Sequence, residues 1–158
     1  RERVRPLAPM ITLEAAESLF QLEPGAADAN YDAYRYMVLC ARAKDGTTER
    51  IPAVVHADKT ARLQLVRPAD DAHGFMFGLL QRMGIHAGVE CCVNTSLNVG
   101  SPIVQTPRQA AEVLLKAGGM HAILFLAEDG AAILAHPTTT SELKDGGAQL
   151  RSWLRQWR

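Results

Sequence analysis

The sequence predicts an α/β fold of the α+β kind: a twisted mixed sheet flanked by helices. Two observations carry this. Short aliphatic and aromatic runs are separated by turn signals and read as hairpins. Between them lie two strand-helix-strand passages, in which the apolar period changes from two to about 3.6.

The elements follow in order. Arg3 to Thr12 holds two prolines and reads as extended chain. Thr12 is placed to N-cap a helix from Leu13, with Glu14 in the first turn. Leu13, Ala16, Leu19 and Phe20 form its apolar face, and Glu23 to Asn30 is a loop. Tyr34 to Ala43 is rich in aromatic and aliphatic residues and reads as a strand. Lys44-Asp45-Gly46-Thr47 is a turn; Ile51 to His56 and Arg62 to Val66 are further strands. In the latter, Leu63 and Leu65 share a face opposite Arg62, Gln64 and Val66. Ala69 to Met83 has helical spacing, with Asp70 and Asp71 near its start and Gly84 as a stop. A strand then runs to Val93. Thr106-Pro107 opens the next helix, hydroxyl at N-cap and proline at N1, and Gly118-Gly119 ends it. His121 to Ala127 and Ala131 to Ala135 form a hairpin around Glu128-Asp129-Gly130. Residues 138–158 are a separate tail, expected to be helical. Leu150, Trp153, Leu154 and Trp157 supply its apolar residues, for docking on the domain or on a partner.

At 158 residues the chain suits one domain with a substantial core. Its 17 basic and 17 acidic residues cancel, which argues against nucleic acid as a partner. No apolar run reaches the ~20 residues that span a bilayer. The three cysteines, Cys40, Cys91 and Cys92, are an odd set, and Cys91 and Cys92 are adjacent. They point to reduced thiols packed as small hydrophobes, and to a cytoplasmic chain. The five histidines show no zinc spacing, so no metal site is expected in the protein itself.

Three polar constellations stand out. Arg1, Arg3 and Arg5 alternate along extended chain and offer guanidiniums to phosphate or carboxylate; a charge-protected edge strand is the other account. His56-Ala57-Asp58-Lys59-Thr60-Ala61-Arg62 contains a turn flanked by His56 and Arg62, placed to aim at one anion; a plain hairpin turn explains its middle. Most informative is Asn94-Thr95-Ser96-Leu97-Asn98, where a strand empties into short polar side chains. It is either a capped turn or the floor of a ligand site, because buried polar groups need partners. Ser96 and Asn98, two apart, point the same way in extended chain, and Gly100 allows close backbone approach. Guanidiniums with a neutral polar floor suit a phosphate-bearing ligand. No nucleophile-base pair is evident, so the chemistry implied is clamping of a phosphoryl or adenylyl transfer.

Four blocks in order resemble the C-terminal domain of the NodU/TobZ-type O-carbamoyltransferases. They are Arg1-Glu2-Arg3-Val4-Arg5-Pro6-Leu7-Ala8-Pro9; Ile51 to Val55 running into His56-Ala57-Asp58-Lys59-Thr60-Ala61-Arg62-Leu63-Gln64; Asn94-Thr95-Ser96-Leu97-Asn98; and Pro102-Ile103-Val104-Gln105-Thr106-Pro107. The resemblance covers about residues 1–117 and implies a YrdC-like fold over residues 1–137. Such a domain is normally joined to an N-terminal actin-like domain of the same polypeptide. It is understood to take carbamoyl phosphate and ATP, with Mg²⁺, and to form carbamoyl adenylate; the other domain then carbamoylates a hydroxyl. Carried over by residue, Arg1 resembles the arginine of the family's Lys-x-Arg pair, and Ser96 and Asn98 its Ser-x-Asn pair. Arg62 matches a second basic contact. Arg62, Ser96 and Asn98 are thus the implied catalytic residues, with Arg1, Arg5, His56, Asn94 and Thr95 as binding residues. The sequence departs from the family at Lys59, where glycine is usual, and in the loop after Asn98, which is shorter and lacks a glutamate. The Lys expected before Arg1 lies outside the chain, and the isolated domain is not expected to complete transfer. The competing expectations are a non-catalytic docking or regulatory domain and, against the charge balance, an RNA-binding face.

Overall fold

The computed structural model describes residues 7–70, 74–127 and 132–136. Arg1 and Arg5, the turn at 128–130 and the tail at 138–158 lie outside them. The chain forms two compact units, one ending at Thr95 and one beginning at Ser96.

The first unit is organised around β1 (Ala8–Thr12). This strand pairs in parallel with β5 (Gln64–Val66), setting Ile11 opposite Leu65. On its other edge it pairs antiparallel with β6 (Cys91–Asn94), setting Ala8 opposite Asn94. The sheet is therefore mixed, as expected. Thr12 ends β1 and N-caps α1 (Leu13–Leu19): its Oγ1 accepts from the Ala15 N–H at 3.3 Å. The same hydroxyl donates to Glu90 Oε2 at 2.7 Å, tying the start of α1 to the approach of β6.

A second sheet follows the order β2 (Phe20–Gln21), β3 (Cys40–Ala43), β4 (Thr60–Arg62), all antiparallel. Only Leu63 separates β4 from β5, so one stretch of chain serves both sheets. Leu63 and Leu65 are fully buried, with Ile11, Phe20 and Tyr34 in the same core. Each such side chain contributes roughly 1.5–3 kcal/mol by leaving water. Val66, assigned by alternation to the polar face, is buried too.

Several expected elements differ. The run from Tyr34 is a strand only over Cys40–Ala43; Tyr31–Arg35 is a helical turn, α2. Tyr31 and Tyr34 bury their rings from this turn, so packing overrides their β propensity. Ile51 to His56 is not a strand. It follows a short helix, α3 (Thr47–Arg50), as a series of turns in which Val54 reaches the interior. Pro52 has no N–H to give a ladder there. The helix expected from Ala69 is split into a 3-10 turn at Pro68–Asp70 and α4 (Phe75–Ala87). Gly84 lies inside α4, and Gly88, in the left-handed region at φ 79°, ends it.

The second unit contains α5 (Pro107–Lys116) and a hairpin of β7 (Ile123–Leu126) with β8 (Ala132–Ala135). Thr106 caps α5 as its sequence predicts: Oγ1 accepts from the Gln109 N–H at 3.2 Å. Gln109 Oε1 in turn accepts from the Gln105 N–H at 2.8 Å, close to a reciprocal capping box. Ala110, Leu114, Phe125 and Ala135 form this unit's core, with Leu97 and Val104 packed against it.

Candidate functional site

The expected site residues fall in both units. In the first, the turn after His56 is closed three ways. The His56 N–H donates to Thr60 O at 2.8 Å, and the Lys59 N–H donates to His56 O at 2.9 Å. Asp58 Oδ1 accepts from the Thr60 N–H at 3.0 Å and from its hydroxyl at 2.7 Å. The bond from the Thr60 hydroxyl, then that from its N–H, holds the Asp58 carboxyl below its ordinary range. The His56 ring meets the Thr60 hydroxyl, Nδ1 to Oγ1 at 3.3 Å. Lys59 takes a left-handed conformation at φ 61° to complete the turn.

Arg62 ends β4, opposite Cys40 in register. It is exposed, and among the described residues its guanidinium has no hydrogen-bonding or ion-pair partner. The expected pairing of His56 with Arg62 across the turn is replaced by His56 with Thr60.

Asn94 ends β6, and its amide nitrogen donates to Gln64 Oε1 on the far side of β1. The same nitrogen lies 3.2 Å from Met37 Sδ. Met37 itself is held at φ 60°. Asn94 is thus committed to the sheet. Gln64 and Met37 are partners that local reading missed; only the alternation of β5 hinted at Gln64. Thr95, exposed, closes the unit.

The second unit opens with the other half of the constellation. Ser96 and Asn98 are exposed while Leu97 between them turns inward, the alternation expected of extended chain. The Ser96 hydroxyl donates to Asn98 Oδ1 at 2.8 Å, and Asn98 Nδ2 donates to Ser101 O at 2.8 Å. Leu97 O accepts from the Val104 N–H at 3.1 Å, fastening the base of the loop. Gly100 makes the bend at φ 60°, where a side chain would be strained. The loop leaves two lone pairs on Ser96 Oγ and one amide hydrogen on Asn98 for a ligand.

One charged cluster had no sequence signal. Tyr31 donates its hydroxyl to Asp70, and Arg35 Nε lies 3.5 Å from the same carboxylate. The Arg67 guanidinium stacks on the Tyr31 ring, 3.1 Å from its centroid, with Nε and Nη2 buried and, among the described residues, without hydrogen-bond partners. Burial, then the bond to Asp70, pushes the Tyr31 hydroxyl well above its ordinary pKa. Of the cysteines, Cys91 has its thiol pushed up to about 12, by burial first and then by neighbouring Cys92. Cys92 is raised by burial, and both behave as core hydrophobes rather than nucleophiles.

A hollow of about 290 Å³ in the first unit is lined by Ser18, Arg50, Gln81, Gly84 and Glu90 among others. It includes none of the expected site residues. Among the described residues no group of three or more His, Cys, Asp or Glu is placed to hold a metal ion. Nor is any helix among them long and apolar enough to cross a membrane.

What emerges is an α/β fold with neutral hydroxyl and amide groups on a loop of one unit and the exposed Arg62 guanidinium at a strand end of the other. The chain belongs to the carbamoyltransferase C-terminus family, which matches residues 1–127. Nodulation protein U of Azorhizobium caulinodans is 36% identical over 66 residues, 42% of this chain and 10% of that protein. An uncharacterised protein of Methanocaldococcus jannaschii is 30% identical over 107 residues, 67% of this chain and 16% of the other. A Synechocystis protein, also uncharacterised, is 28% identical over 137 residues, 73% of this chain and 21% of its own. The chain therefore spans only a minor part of the curated relatives it matches.

Proposed function

We propose that this domain is the activating part of an ATP-dependent O-carbamoyltransferase, binding carbamoyl phosphate and ATP and forming carbamoyl adenylate. The family match supports the carbamoyl group as the cargo. The observation that carries the reading is the Ser96–Asn98 pair, hydrogen-bonded at 2.8 Å on an exposed loop fastened to a core.

In this reading carbamoyl phosphate is hydrolysed to carbamate and phosphate. A carbamate oxygen then attacks the α-phosphorus of ATP, the bond to the β-phosphate oxygen breaks, and pyrophosphate leaves. Such a displacement needs positioning and charge stabilisation more than covalent help. Arg62, permanently charged and exposed on β4, takes phosphate oxygens in paired hydrogen bonds. Arg1 and Arg5 add charge from the N-terminal residues. Ser96 and Asn98 hold carbamoyl or phosphate oxygens without adding charge, Ser96 turning its hydroxyl from Asn98 to ligand. His56 positions ligand from the turn, while Asn94 and Thr95 hold the strand end from which the loop departs.

Mg²⁺ is expected to arrive on ATP, held by phosphate oxygens and water, as the ion commonly is. An upstream actin-like domain of the same polypeptide would accept the carbamoyl group and deliver it to a hydroxyl, in the cytoplasm. The test is carbamoyl-phosphate-dependent exchange of labelled pyrophosphate into ATP, on a chain extended upstream of Arg1. Exchange that Ser96→Ala lowers by about 100-fold supports the reading. No exchange, with no calorimetric binding of either ligand, overturns it in favour of a docking domain.

A further inference from the structure

The hollow of about 290 Å³ in the first unit includes none of the residues given a part in carbamoyl activation. Its walls come from α1, the end of α3, the last turns of α4 and the approach to β6. That volume stands at the small end of ligand sites, the size of an amino acid rather than a nucleotide. Arg50 and Glu90 both line it. They form no ion pair with each other, for among the described residues the ion pairs are Arg35 with Asp70 and Arg108 with Glu112. Each charge is held by one side-chain bond and keeps the rest of its capacity. Arg50 Nη2 donates to Gly88 O at 3.1 Å, which fixes the guanidinium and leaves its other N–H groups without partners among the described residues. Glu90 Oε2 accepts from the Thr12 hydroxyl at 2.7 Å, which leaves Oε1. Oε1 lies beside Gly84, 3.4 Å from where a Cβ on that glycine would stand. The lining also has an apolar part, in which Leu19 is buried and Ala15 and Val89 are half-buried.

We propose that this hollow binds a small zwitterion of the aliphatic amino-acid class. The ligand carboxylate accepts charge-assisted hydrogen bonds from Arg50, and the ligand ammonium donates to Glu90 Oε1. Its aliphatic side chain leaves water against Leu19 and Val89. Two opposite charges that share a hollow without meeting select a ligand that carries both. A simple anion is repelled by Glu90 and a simple cation by Arg50, so each meets a penalty that the zwitterion avoids.

The test is calorimetric titration of the chain with L-leucine and with two analogues that each lack one charge. L-leucinamide has no carboxylate, and 4-methylpentanoate has no ammonium. The expected result is saturable one-to-one binding of L-leucine, weakened by about 10-fold or more in either analogue. Arg50→Gln and Glu90→Gln are each expected to weaken L-leucine by a similar factor. Arg50 is exposed, so its substitution leaves the fold in place. Glu90→Gln keeps an oxygen to accept from Thr12; should it still lose its thermal transition, Arg50→Gln and the two analogues carry the test. No saturable heat with L-leucine at millimolar concentration overturns the proposal. So does binding that either analogue matches, or that survives the Arg50 substitution unchanged. Neither ATP nor carbamoyl phosphate enters the titration, so its outcome is independent of the carbamoyl reading.

Discussion

The Ser96 hydroxyl donates to Oδ1 of Asn98 at 2.8 Å across an inward-facing Leu97. Each side chain thereby fixes the rotamer of the other before any ligand arrives. Asn98 is braced further by its bond to Ser101 O. Ser96→Ala and Asn98→Ala are each expected to lower pyrophosphate exchange by about 100-fold, the scale of losing one preorganised donor. Both residues are exposed, so the unfolding midpoint should stay put. Exchange kinetics and thermal melts on the same preparations check this.

Arg62 offers a sharper discrimination, because charge and geometry separate. Arg62→Lys keeps the charge and loses the planar fork. Arg62→Gln loses both. Charge-assisted hydrogen bonds are worth about 1.5–3 kcal/mol, so Arg62→Gln is expected to weaken ATP binding by roughly 10- to 100-fold. Arg62→Lys should fall between it and the wild type in calorimetric titration. Neither is expected to alter stability, since the guanidinium is exposed and without a partner among the described residues.

The parts of this fold that could be read in sequence are those whose physics is local. Thr12 and Thr106 cap their helices because a hydroxyl one residue before a helix meets its free N–H groups, whatever lies around it. Leu63 and Leu65 alternate into the core for the same kind of reason. Failures came where distant residues decide. Tyr34 looks like the start of a strand, but the pull of a core shared with Leu63 and Leu65 places it, with Tyr31, on a helical turn. Nothing near Asp70 announces that it accepts from Tyr31, 39 positions away. The site shows the same division. The Ser-x-Asn alternation was legible, whereas the Gln64–Asn94 bond needs β1 between two strands and has no local signature.

Among the described residues, Lys59 is one of two non-glycine residues with a left-handed backbone, the other being Met37. That conformation costs a side-chain-bearing residue roughly 1–2 kcal/mol. Lys59→Gly relieves this and partly offsets the gain by enlarging the entropy of the unfolded chain. The expected net effect is stabilisation of about 1 kcal/mol in urea unfolding, with an unchanged slope. Lys59→Ala keeps the strain and should show no such gain.

Gly84 lies inside α4, where alanine would ordinarily add about 1 kcal/mol of helix stability. Here a Cβ would sit 2.5 Å from Glu90 Cγ. Glu90 cannot withdraw freely, because its carboxylate accepts from Thr12 Oγ1 at 2.7 Å and its carbonyl from the Thr12 N–H at 3.3 Å. Gly84→Ala is therefore expected to destabilise by about 1–3 kcal/mol through overpacking. In a Glu90→Ala background the clash is gone and the same substitution should become neutral or stabilising. Equilibrium unfolding of the four combinations measures that reversal of sign.

Cys91 carries the clearest pH signature. Its thiol ionises near 9 when unfolded and is pushed up to about 12 in the fold. The native state keeps its proton where the unfolded state has lost it, so native stability falls as pH rises. The contribution is complete below about pH 9, the unfolded value, and drains away as pH climbs toward the folded one near 12. Cys91→Val, which cannot ionise, should flatten that alkaline limb while leaving neutral-pH stability within about 1 kcal/mol. Thiol alkylation supplies an independent reading. Cys40 is exposed and should be alkylated in the native chain, whereas Cys91 should be modified only after denaturant is added. Equal labelling of the two in the native chain would contradict the burial that raises Cys91.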